Sequence, residues 1–179
     1  MEQRIIIAGS GGQGILFLGK VIAYAAMKEG KEVTWFPSYG AEMRGGTANC
    51  MVIVADELIG CPIIKNADFL IALNEASYKK FFNRVKENGH VIYDSSIIQN
   101  SNSSERKKIH SVEASQEASL IANPKLANMI LLGAFLKVSG LINIDNVVKA
   151  LEEIIPPKRR ELLDINKKLV LRGFSIIEN

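Results

Sequence analysis

Apolar residues in this chain fall into short unbroken runs and longer stretches at helical spacing. The first run, residues 4–8, predicts a buried central strand, because strands covered on both faces lose the polar alternation. Residues 15–29 have apolar side chains at helical spacing and predict a helix that ends at Gly30. A second strand is predicted over residues 32–36, ended by Pro37. This strand–helix–strand unit predicts a parallel sheet with a right-handed crossover.

The same pattern continues to the end of the chain. Further strands are predicted over residues 48–55, 58–64, 68–73, 90–93 and 107–112. Further helices are predicted over residues 75–87, 113–121, 124–138, 146–155 and 158–171. We therefore expect residues 1–179 to form a single α/β domain. It would be a doubly wound, mostly parallel sheet with a Rossmann-like start and a helical C-terminal extension.

Composition narrows the class of protein. The chain has 179 residues, of which 47% are hydrophobic and 23% charged, as in an ordinary globular domain, and its net charge is +3. Basic residues gather at 158–160 and 167–168, where acidic residues interrupt them, so a solvated helix face is favoured over a nucleic-acid surface. No run is long enough for a membrane span, and we expect a cytoplasmic protein.

The cysteines and histidines do not form a metal-binding pattern. Cys50 and Cys61 belong to no C-x-x-C pair, and His90 and His110 are far from both in the sequence. That is too few ligands for a zinc site and too few thiolates for a complete iron–sulfur cluster. We expect no metal site and no catalytic residue in this chain, and both histidines are interpreted as structural. Asp94, which follows a strand, is interpreted as a turn or helix cap.

A glycine-rich turn follows the first strand and opens the first helix. Residues 9–14 read Gly-Ser-Gly-Gly-Gln-Gly and fit the pattern G-x-G-x-x-G. Glycine permits a sharp turn and lets a ligand approach the backbone, and N–H groups at a helix start attract anions. Two interpretations stay open: contact with an anionic ligand, or tight packing alone.

Ordinary NAD binding is disfavoured by the second strand. A dinucleotide fold places an acidic residue at the end of that strand, where it holds the ribose hydroxyls. Here residues 35–38 read Trp-Phe-Pro-Ser, without a carboxylate. No Gly-Lys-Ser/Thr follows the turn, so the chain does not contain a P-loop either.

A second unusual segment, residues 39–47, follows this strand. Glu42 and Arg44 are two positions apart, so an extended loop would point both side chains the same way. The segment is either a surface loop with a weak ion pair or a contact for a partner subunit or ligand phosphate, with Arg44 as a bidentate donor. The two motifs together give the candidate cofactor-binding residues, which are Gly9, Gly11, Gly12, Gln13, Gly14, Tyr39, Glu42, Arg44, Gly45 and Gly46.

These motifs resemble the gamma subunit of 2-oxoacid:ferredoxin oxidoreductases. The specific part is the Tyr-Gly-x-Glu-x-Arg-Gly-Gly pattern of residues 39–46. The glycine turn, the segment 59–62 (Ile-Gly-Cys-Pro) and residues 123–133, from Asn123-Pro124 through Ala127-Asn128-Met129 to Leu132-Gly133, are also similar to that family. The resemblance covers nearly the whole chain.

The resemblance implies one subunit of a larger enzyme. The family decarboxylates a 2-oxoacid oxidatively to an acyl-CoA and passes electrons to ferredoxin. Thiamine diphosphate and the iron–sulfur clusters sit on partner subunits, and coenzyme A is a candidate at the subunit interface. The implied partners are the alpha and beta subunits, a delta subunit where one exists, and ferredoxin through the complex.

Several alternatives remain open on the sequence. The favoured substrate is 2-oxoglutarate, with pyruvate or a branched-chain 2-oxoacid as alternatives. A stand-alone nucleotide-binding oxidoreductase and a non-catalytic ligand-binding module are the competing functions. Self-association of the isolated chain is also open.

Overall fold

A computed structural model describes residues 1–38, 47–99 and 106–177 of the chain. The strands are β1 (Glu2–Gly9), β2 (Glu32–Ser38), β3 (Ala48–Ala55), β4 (Ala67–Ala72), β5 (Val85–Asp94) and β6 (Lys108–Val112). The helices are α1 (Ile15–Lys28), α2 (Glu75–Phe82), α3 (Ala114–Ile121), α4 (Ala127–Ser139), α5 (Ile144–Ile154) and α6 (Arg160–Ile176). Short 3₁₀ turns at Pro124–Leu126 and Pro157–Arg159 lead into α4 and α6.

The strands form one sheet in the order β2-β3-β1-β4-β5-β6. The pairs β1–β4, β4–β5 and β5–β6 are parallel, whereas β3 is antiparallel to both of its neighbours. The two antiparallel pairings make β2 run in the same direction as β1. The sheet is therefore mostly parallel, with β3 as its one reversed strand among the described residues. This confirms the expected fold class.

The strand–helix–strand unit at the start of the chain is present, with one difference. β1, α1 and β2 follow one another as predicted, but β3 lies between β1 and β2 instead of beyond them. Ile5 pairs with Val52 of β3, and Val52 pairs with Trp35 of β2. The apolar run of β3 is buried on both faces, which explains why it occupies an inner position and leaves β2 at the edge.

The described helices cover the two faces of the sheet unequally. One hydrophobic cluster joins α1, α3, α4, α5 and α6 to one face, and a second cluster joins α2 to the other. The C-terminal helices α3 to α6 thus form the predicted helical extension. The chain therefore crosses to one face of the sheet after β1, where it forms α1, and to the opposite face after β4, where it forms α2.

Two predictions about extended segments were wrong. Residues 58–64 do not form a strand: the segment crosses the face that α2 covers, where Ile64 is buried and its N–H contacts Met51 Sδ at 3.3 Å. Pro37 does not end β2, which continues to Ser38. A proline is tolerated in β2 because that strand lies at the sheet edge, where a missing N–H costs little.

The end of α2 was also predicted incorrectly. The helix stops at Phe82 rather than at residue 87, and β5 begins at Val85. Asn88, expected with Gly89 to close the helix, lies within β5 at φ 62°, and the β4–β5 register shifts there. The positive φ of Asn88 suits an irregularity in a strand as well as a helix end, so the local signal did not distinguish the two.

None of the helices in the described part of the chain has both the length and the hydropathy needed to cross a membrane.

Candidate functional site

The glycine turn lies in a crevice at the carboxyl edge of the sheet. β1 and β4 are parallel neighbours. After β1 the chain passes through α1 on one face of the sheet to β2, and after β4 it passes through α2 on the other face to β5, on the other side of the β1–β4 pair. Such a switch point opens a crevice outside the strand ends, where α/β proteins commonly bind ligands. The turn between Gly9 and Ile15 lines this crevice, as the sequence predicts for a ligand site.

The side chain of Gln13 holds the turn together. Its Oε1 accepts a hydrogen bond from the Ser10 N–H at 2.6 Å, and its Nε2 donates to the Leu73 carbonyl at 2.8 Å. Asn74, the N-cap of α2, donates from Nδ2 to Ser10 Oγ at 2.5 Å. Gln13 therefore fastens the end of β1 to the end of β4. Its polar atoms have partners inside the protein, and ligand contact by Gln13 stays a prediction.

Gly14 is required by a close contact with α4. It has φ 70°, a left-handed conformation that favours glycine, and a side chain there would overlap with the amide of Asn128. Asn128 Nδ2 donates to the Gly14 carbonyl at 3.2 Å. This hydrogen bond links the start of α1 to the start of α4. Glycine is needed at position 14 both for the turn and for this close contact.

The N-terminus of α1 faces a cavity of about 290 Å³, which we name the glycine-turn cavity. It is lined by Ser10, Gly11, Gly12, Gly14, Ile15, Leu16, Phe17, Ser38 and Ala48. Gly14 provides no side-chain cap for α1, and no acidic residue lies in its first turn. The first N–H groups of this helix therefore lack a side-chain acceptor, and together with the positive end of the helix dipole they favour an anion.

The cavity is also lined by two residues that flank the second motif. Ser38 ends β2 and Ala48 begins β3, and both line the glycine-turn cavity. The segment between them carries the second motif, whose candidate residues Tyr39, Glu42, Arg44, Gly45 and Gly46 lie outside the described residues. Both ends of that segment are attached beside the glycine turn. Contact of the five residues with a ligand or partner stays a prediction, as it does for Gly9, Gly11, Gly12 and Gly14.

A second cavity, of about 220 Å³, lies on the other side of the turn and includes Asp94, Ser115, Lys125 and Asn128. Asp94 is 1% exposed, and its carboxylate accepts from the Ser115 N–H and from Ser115 Oγ at 2.5 Å. It also accepts from the Ser96 N–H at 3.1 Å. These bonds confirm the interpretation of Asp94 as a cap, here of the turn after β5 and of the first turn of α3.

The sheet order gives a second argument against ordinary dinucleotide binding. In a dinucleotide fold the acidic residue stands at the end of the strand beside β1. Here that position is taken by the reversed strand β3, and β2 is two strands away, at about 4.8 Å per strand. Ser38, which ends β2 and lines the cavity, has no carboxylate to replace the missing one.

The two cysteines and the two histidines of the chain lie in different environments. Cys50 is buried under α1, where desolvation raises the pKa of its thiol to about 12, and Cys61 is exposed. His90 and His110 lie side by side on β5 and β6, with His90 Nδ1 3.1 Å from His110 Nε2. Within the described ranges, no three histidine, cysteine or acidic side chains are close enough to share a metal ion.

Two residues at the crevice, Asn74 and Asn128, were not assigned to the site from the sequence, and the role of a third, Gln13, was different from the one expected. Gln13 was expected to contact a ligand, but its bonds to Ser10 and Leu73 were not foreseen. Asn74 follows the predicted strand 68–73, and an asparagine between a strand and a helix is the available signal for it. Asn128 lies within the predicted helix 124–138, where no local signal marks it. That they meet the glycine turn depends on contacts between residues more than 60 positions apart.

Comparison with known proteins gives concordant matches. A family model described as pyruvate ferredoxin/flavodoxin oxidoreductase matches residues 4–176. The ketoisovalerate oxidoreductase subunit VorA of Methanothermobacter thermautotrophicus is 34% identical over 96% of this chain, which spans only 36% of VorA. The 2-oxoglutarate synthase subunit KorC of Archaeoglobus fulgidus is 34% identical over 98% of this chain and 88% of its own length.

Solved structures agree with these sequence matches. The gamma subunit of a keto/oxoacid ferredoxin oxidoreductase from Geobacter sulfurreducens has a TM-score of 0.84 at 26% identity, over 97% of this chain and 96% of its own. A 2-oxoglutarate:ferredoxin oxidoreductase from Magnetococcus marinus has a TM-score of 0.88 at 26% identity, over 98% of this chain and 31% of its own. The chain therefore belongs to the pyruvate ferredoxin/flavodoxin oxidoreductase family and corresponds to its gamma subunits.

Proposed function

We propose that this chain is the gamma subunit of a multi-subunit 2-oxoacid:ferredoxin oxidoreductase of the cytoplasm. The complex would decarboxylate a 2-oxoacid oxidatively, form an acyl-CoA and reduce ferredoxin. The observation that carries the proposal is the glycine-turn cavity. An uncapped helix start lines it, together with Ser38 and Ala48, the residues on either side of the segment that carries the second motif, in a chain of this family.

Within the complex, we assign coenzyme A contact to the glycine-turn cavity. A phosphate group fits there, because the N–H groups that begin α1 lack a side-chain acceptor and Gly11 and Gly12 are exposed without side chains. In support, the Magnetococcus marinus enzyme was solved with coenzyme A and succinyl-CoA bound. The chain's part would be to bind and orient the coenzyme at a subunit interface, with Arg44 as a phosphate donor.

The chemistry of decarboxylation and electron transfer is assigned to partner subunits. These would be an alpha and a beta subunit, and a delta subunit where the complex has one, carrying thiamine diphosphate and the iron–sulfur clusters. VorA supports a close association with partner subunits, because the region that matches this chain is only about a third of VorA and is covalently joined there to further sequence. Ferredoxin would meet the complex and not this subunit alone.

We favour 2-oxoglutarate as the substrate. KorC relatives match this chain over most of their own length, and the Magnetococcus marinus enzyme is a 2-oxoglutarate enzyme. Relatives named for ketoisovalerate and pyruvate have similar identities, at 34% and 32%. The substrate side chain would be recognised by other subunits.

The test is purification of the native complex by a tag on this chain, followed by ferredoxin reduction with coenzyme A and each 2-oxoacid in turn. We expect co-purifying thiamine- and cluster-carrying subunits, and the highest kcat/KM with 2-oxoglutarate. Elution of the chain without such partners would overturn the gamma-subunit assignment. A higher kcat/KM with pyruvate or a branched-chain 2-oxoacid would overturn only the substrate.

A further inference from the structure

Five exposed hydrophobic residues gather along the edge strand β2. We name them the edge patch; they are Met27, Trp35, Phe36, Leu58 and Ile63. The described part of the chain exposes ten large hydrophobic residues, so half of them belong to this edge, and the others are spread over the N-terminus, the turn after β5, α3 and α6. Single exposed hydrophobic residues are ordinary, but a concentration at one edge of a sheet marks an interaction surface.

On the face of the sheet that α1 covers, the edge patch borders a groove of about 350 Å³. The groove is lined by Lys20, Ala23, Tyr24, Met27, Val33 and Trp35. The indole of Trp35 lies against Gly19, where a Cβ would come within 3.0 Å of Nε1, and Trp35 is still 38% exposed. The outer flank of α1 is therefore largely apolar, although a helix at the surface usually presents polar side chains to water.

On the opposite face, the edge patch continues from β2 to the segment that follows β3. Phe36 pairs with Met51 of β3, and the N–H of Ile64 contacts Met51 Sδ at 3.3 Å. At the other end of that segment, the Asp56 carboxylate accepts from Lys31 Nζ at 2.6 Å, just before β2. Both ends of the segment are thus held beside β2, and the two edge-patch residues between them remain exposed.

The edge patch has the size and composition of a protein interface. Its residues are 38–89% exposed, so at roughly 200 Å² for a large side chain they leave about 600 Å² of mainly apolar surface in water. The largest apolar patch on a typical monomer is about 300–600 Å², and a stable interface buries about 800 Å² on each partner. Tryptophan, phenylalanine and methionine are also enriched at interfaces. With the rest of the groove beside it, the patch can hold one protein partner.

We propose that the edge patch is the docking surface for the partner subunit that corresponds to the rest of the VorA chain, an inference that rests on the proposed function. Nearly all of this chain, 96% and 98%, matches only 36% of VorA and 31% of the Magnetococcus marinus chain. In those proteins a domain like this one is covalently joined to further sequence. A separate chain loses the high effective concentration that such a link supplies and needs a non-covalent surface in its place.

The charge in the groove favours a different subunit over a second copy of this chain. Lys20 Nζ lies 5.4 Å from the centroid of the Tyr24 ring, and Lys20 has no acidic partner among the described residues. Two copies paired edge to edge through β2 about a twofold axis would carry α1 on the same face, with both Lys20 side chains near the axis. Like charges there are unfavourable, whereas a different subunit can place a carboxylate opposite Lys20.

The test measures the dissociation of the tagged full-length chain from the native complex, by sedimentation velocity over a dilution series. Met27→Glu and Leu58→Glu place a charge on either side of β2. Leu171→Glu and Leu120→Glu are the matched controls, at exposed positions of α6 and α3. We expect the Kd to rise at least about tenfold in each patch variant and less than about threefold in each control. Leu58 is 89% exposed, so the test does not depend on the folding of the Met27 variant.

A charge reversal examines the carboxylate expected opposite Lys20. Lys20→Glu should raise the Kd more at low salt than at high salt, because the attraction it removes is screened by ions. Lys168→Glu, at an exposed position of α6, is the control. An equal effect of the two reversals would remove the proposed carboxylate contact.

The outcomes separate this inference from the proposed function. A wild-type Kd in both patch variants would overturn the inference, while the assembled wild-type complex would leave the gamma-subunit assignment standing. Absence of partner subunits from the wild-type preparation would overturn the proposed function, and the inference with it. If the patch variants dissociate a homodimer of the isolated chain and leave the complex unaffected, the edge patch belongs to a second copy and the inference is overturned.

Discussion

Gly173 of α6 lies directly against the main-chain carbonyl of Ile130 in α4. A Cβ at Gly173 would overlap with that carbonyl, and a Cβ at Gly133 would come within 2.5 Å of the Phe174 nitrogen. The two helices thus touch backbone to backbone, which only glycine permits. This crossing holds the C-terminal half of α6 against α4.

Replacing Gly173 by alanine should therefore loosen the C-terminal helices. The added methyl group has backbone on the opposite side, which cannot move aside as a side chain would, and overpacking of this kind costs about 1–3 kcal/mol. Urea denaturation of the full chain measures the loss. Gly60→Ala is the matched control, since nothing lies within 4 Å of that position, and it should change stability by less than about 0.5 kcal/mol. Equal stability of the two variants would contradict the close helix contact.

Local sequence signals account for most of the fold. The run at residues 4–8 predicted the centre of β1, and the spacing after the glycine turn predicted α1 to within one residue, because burial on both faces and helical periodicity are local properties. The insertion of β3 between β1 and β2 depends on which strands pair, and no local pattern records that choice. Residues 58–64 resemble a strand in sequence because Ile59 and Ile64 pack on a sheet face, although the segment does not join the sheet.

The candidate site was predictable in part for the same reason. The turn follows from glycines next to a strand and a helix, all within 15 residues. The roles of Gln13 and Asn128 come from partners distant in sequence, Leu73 and Gly14. Residue type alone did not distinguish the latch formed by Gln13 from a ligand contact, since an amide serves both.

Asp94→Ala should lower stability if Asp94 is a cap. Its carboxylate accepts from the N–H groups of Ser96 and Ser115, and loss of a buried acceptor costs about 1–3 kcal/mol. Asp94→Asn keeps one acceptor oxygen and should fall between the alanine variant and wild type. Thermal denaturation of the three proteins gives the order. Wild-type stability of the alanine variant, together with loss of activity in the complex, would instead assign Asp94 to chemistry.

Gln13→Leu should weaken both the turn and the binding of coenzyme A. The substitution keeps side-chain volume but leaves the Ser10 N–H and the Leu73 carbonyl without their partner, at a cost of about 1–3 kcal/mol for a buried polar group. Denaturation and calorimetric titration with coenzyme A measure the two effects. Gln116→Leu, at an exposed position on α3, is the control. Full stability in Gln13→Leu would show that the turn does not need this latch.

Arg44→Ala should reduce the activity of the complex and leave the melting temperature of the isolated chain within a degree or so of wild type. The expectation comes from the sequence motif, since Arg44 lies outside the described residues. A guanidinium that binds a phosphate or a partner subunit adds little to the stability of the free chain. Ferredoxin reduction by the reconstituted complex and a thermal melt of the chain give the two readouts. A large fall in melting temperature would make Arg44 structural.

Stability should fall as the pH is lowered from 7.5 to 5.5, because of His90 and His110. The distance between their ring centroids, 5.3 Å, exceeds the N···N distance of 3.1 Å by about two ring radii, and the planes differ by 7°. The rings therefore lie edge to edge and share an N–H···N bond, which requires one unprotonated nitrogen at the contact. A proton on that nitrogen would set two donors against each other.

The direction in which stability changes with pH follows from the pKa values of the two histidines. Desolvation lowers the pKa of His90 and of His110 below 6.5; the positive charge of Lys108 also lowers both, and His110 lowers that of His90. The unfolded chain therefore binds more protons, so the contribution is complete above pH 6.5 and is lost as the pH falls toward the folded values. These are the only histidines of the chain, and the lowered carboxyl pKa values act below about pH 4.5. The urea midpoint of unfolding, measured at several pH values, should depend less on pH in the double variant His90→Gln/His110→Gln, because the glutamine amides can form a hydrogen bond but do not titrate. An unchanged pH dependence in that variant would remove the pair as its cause.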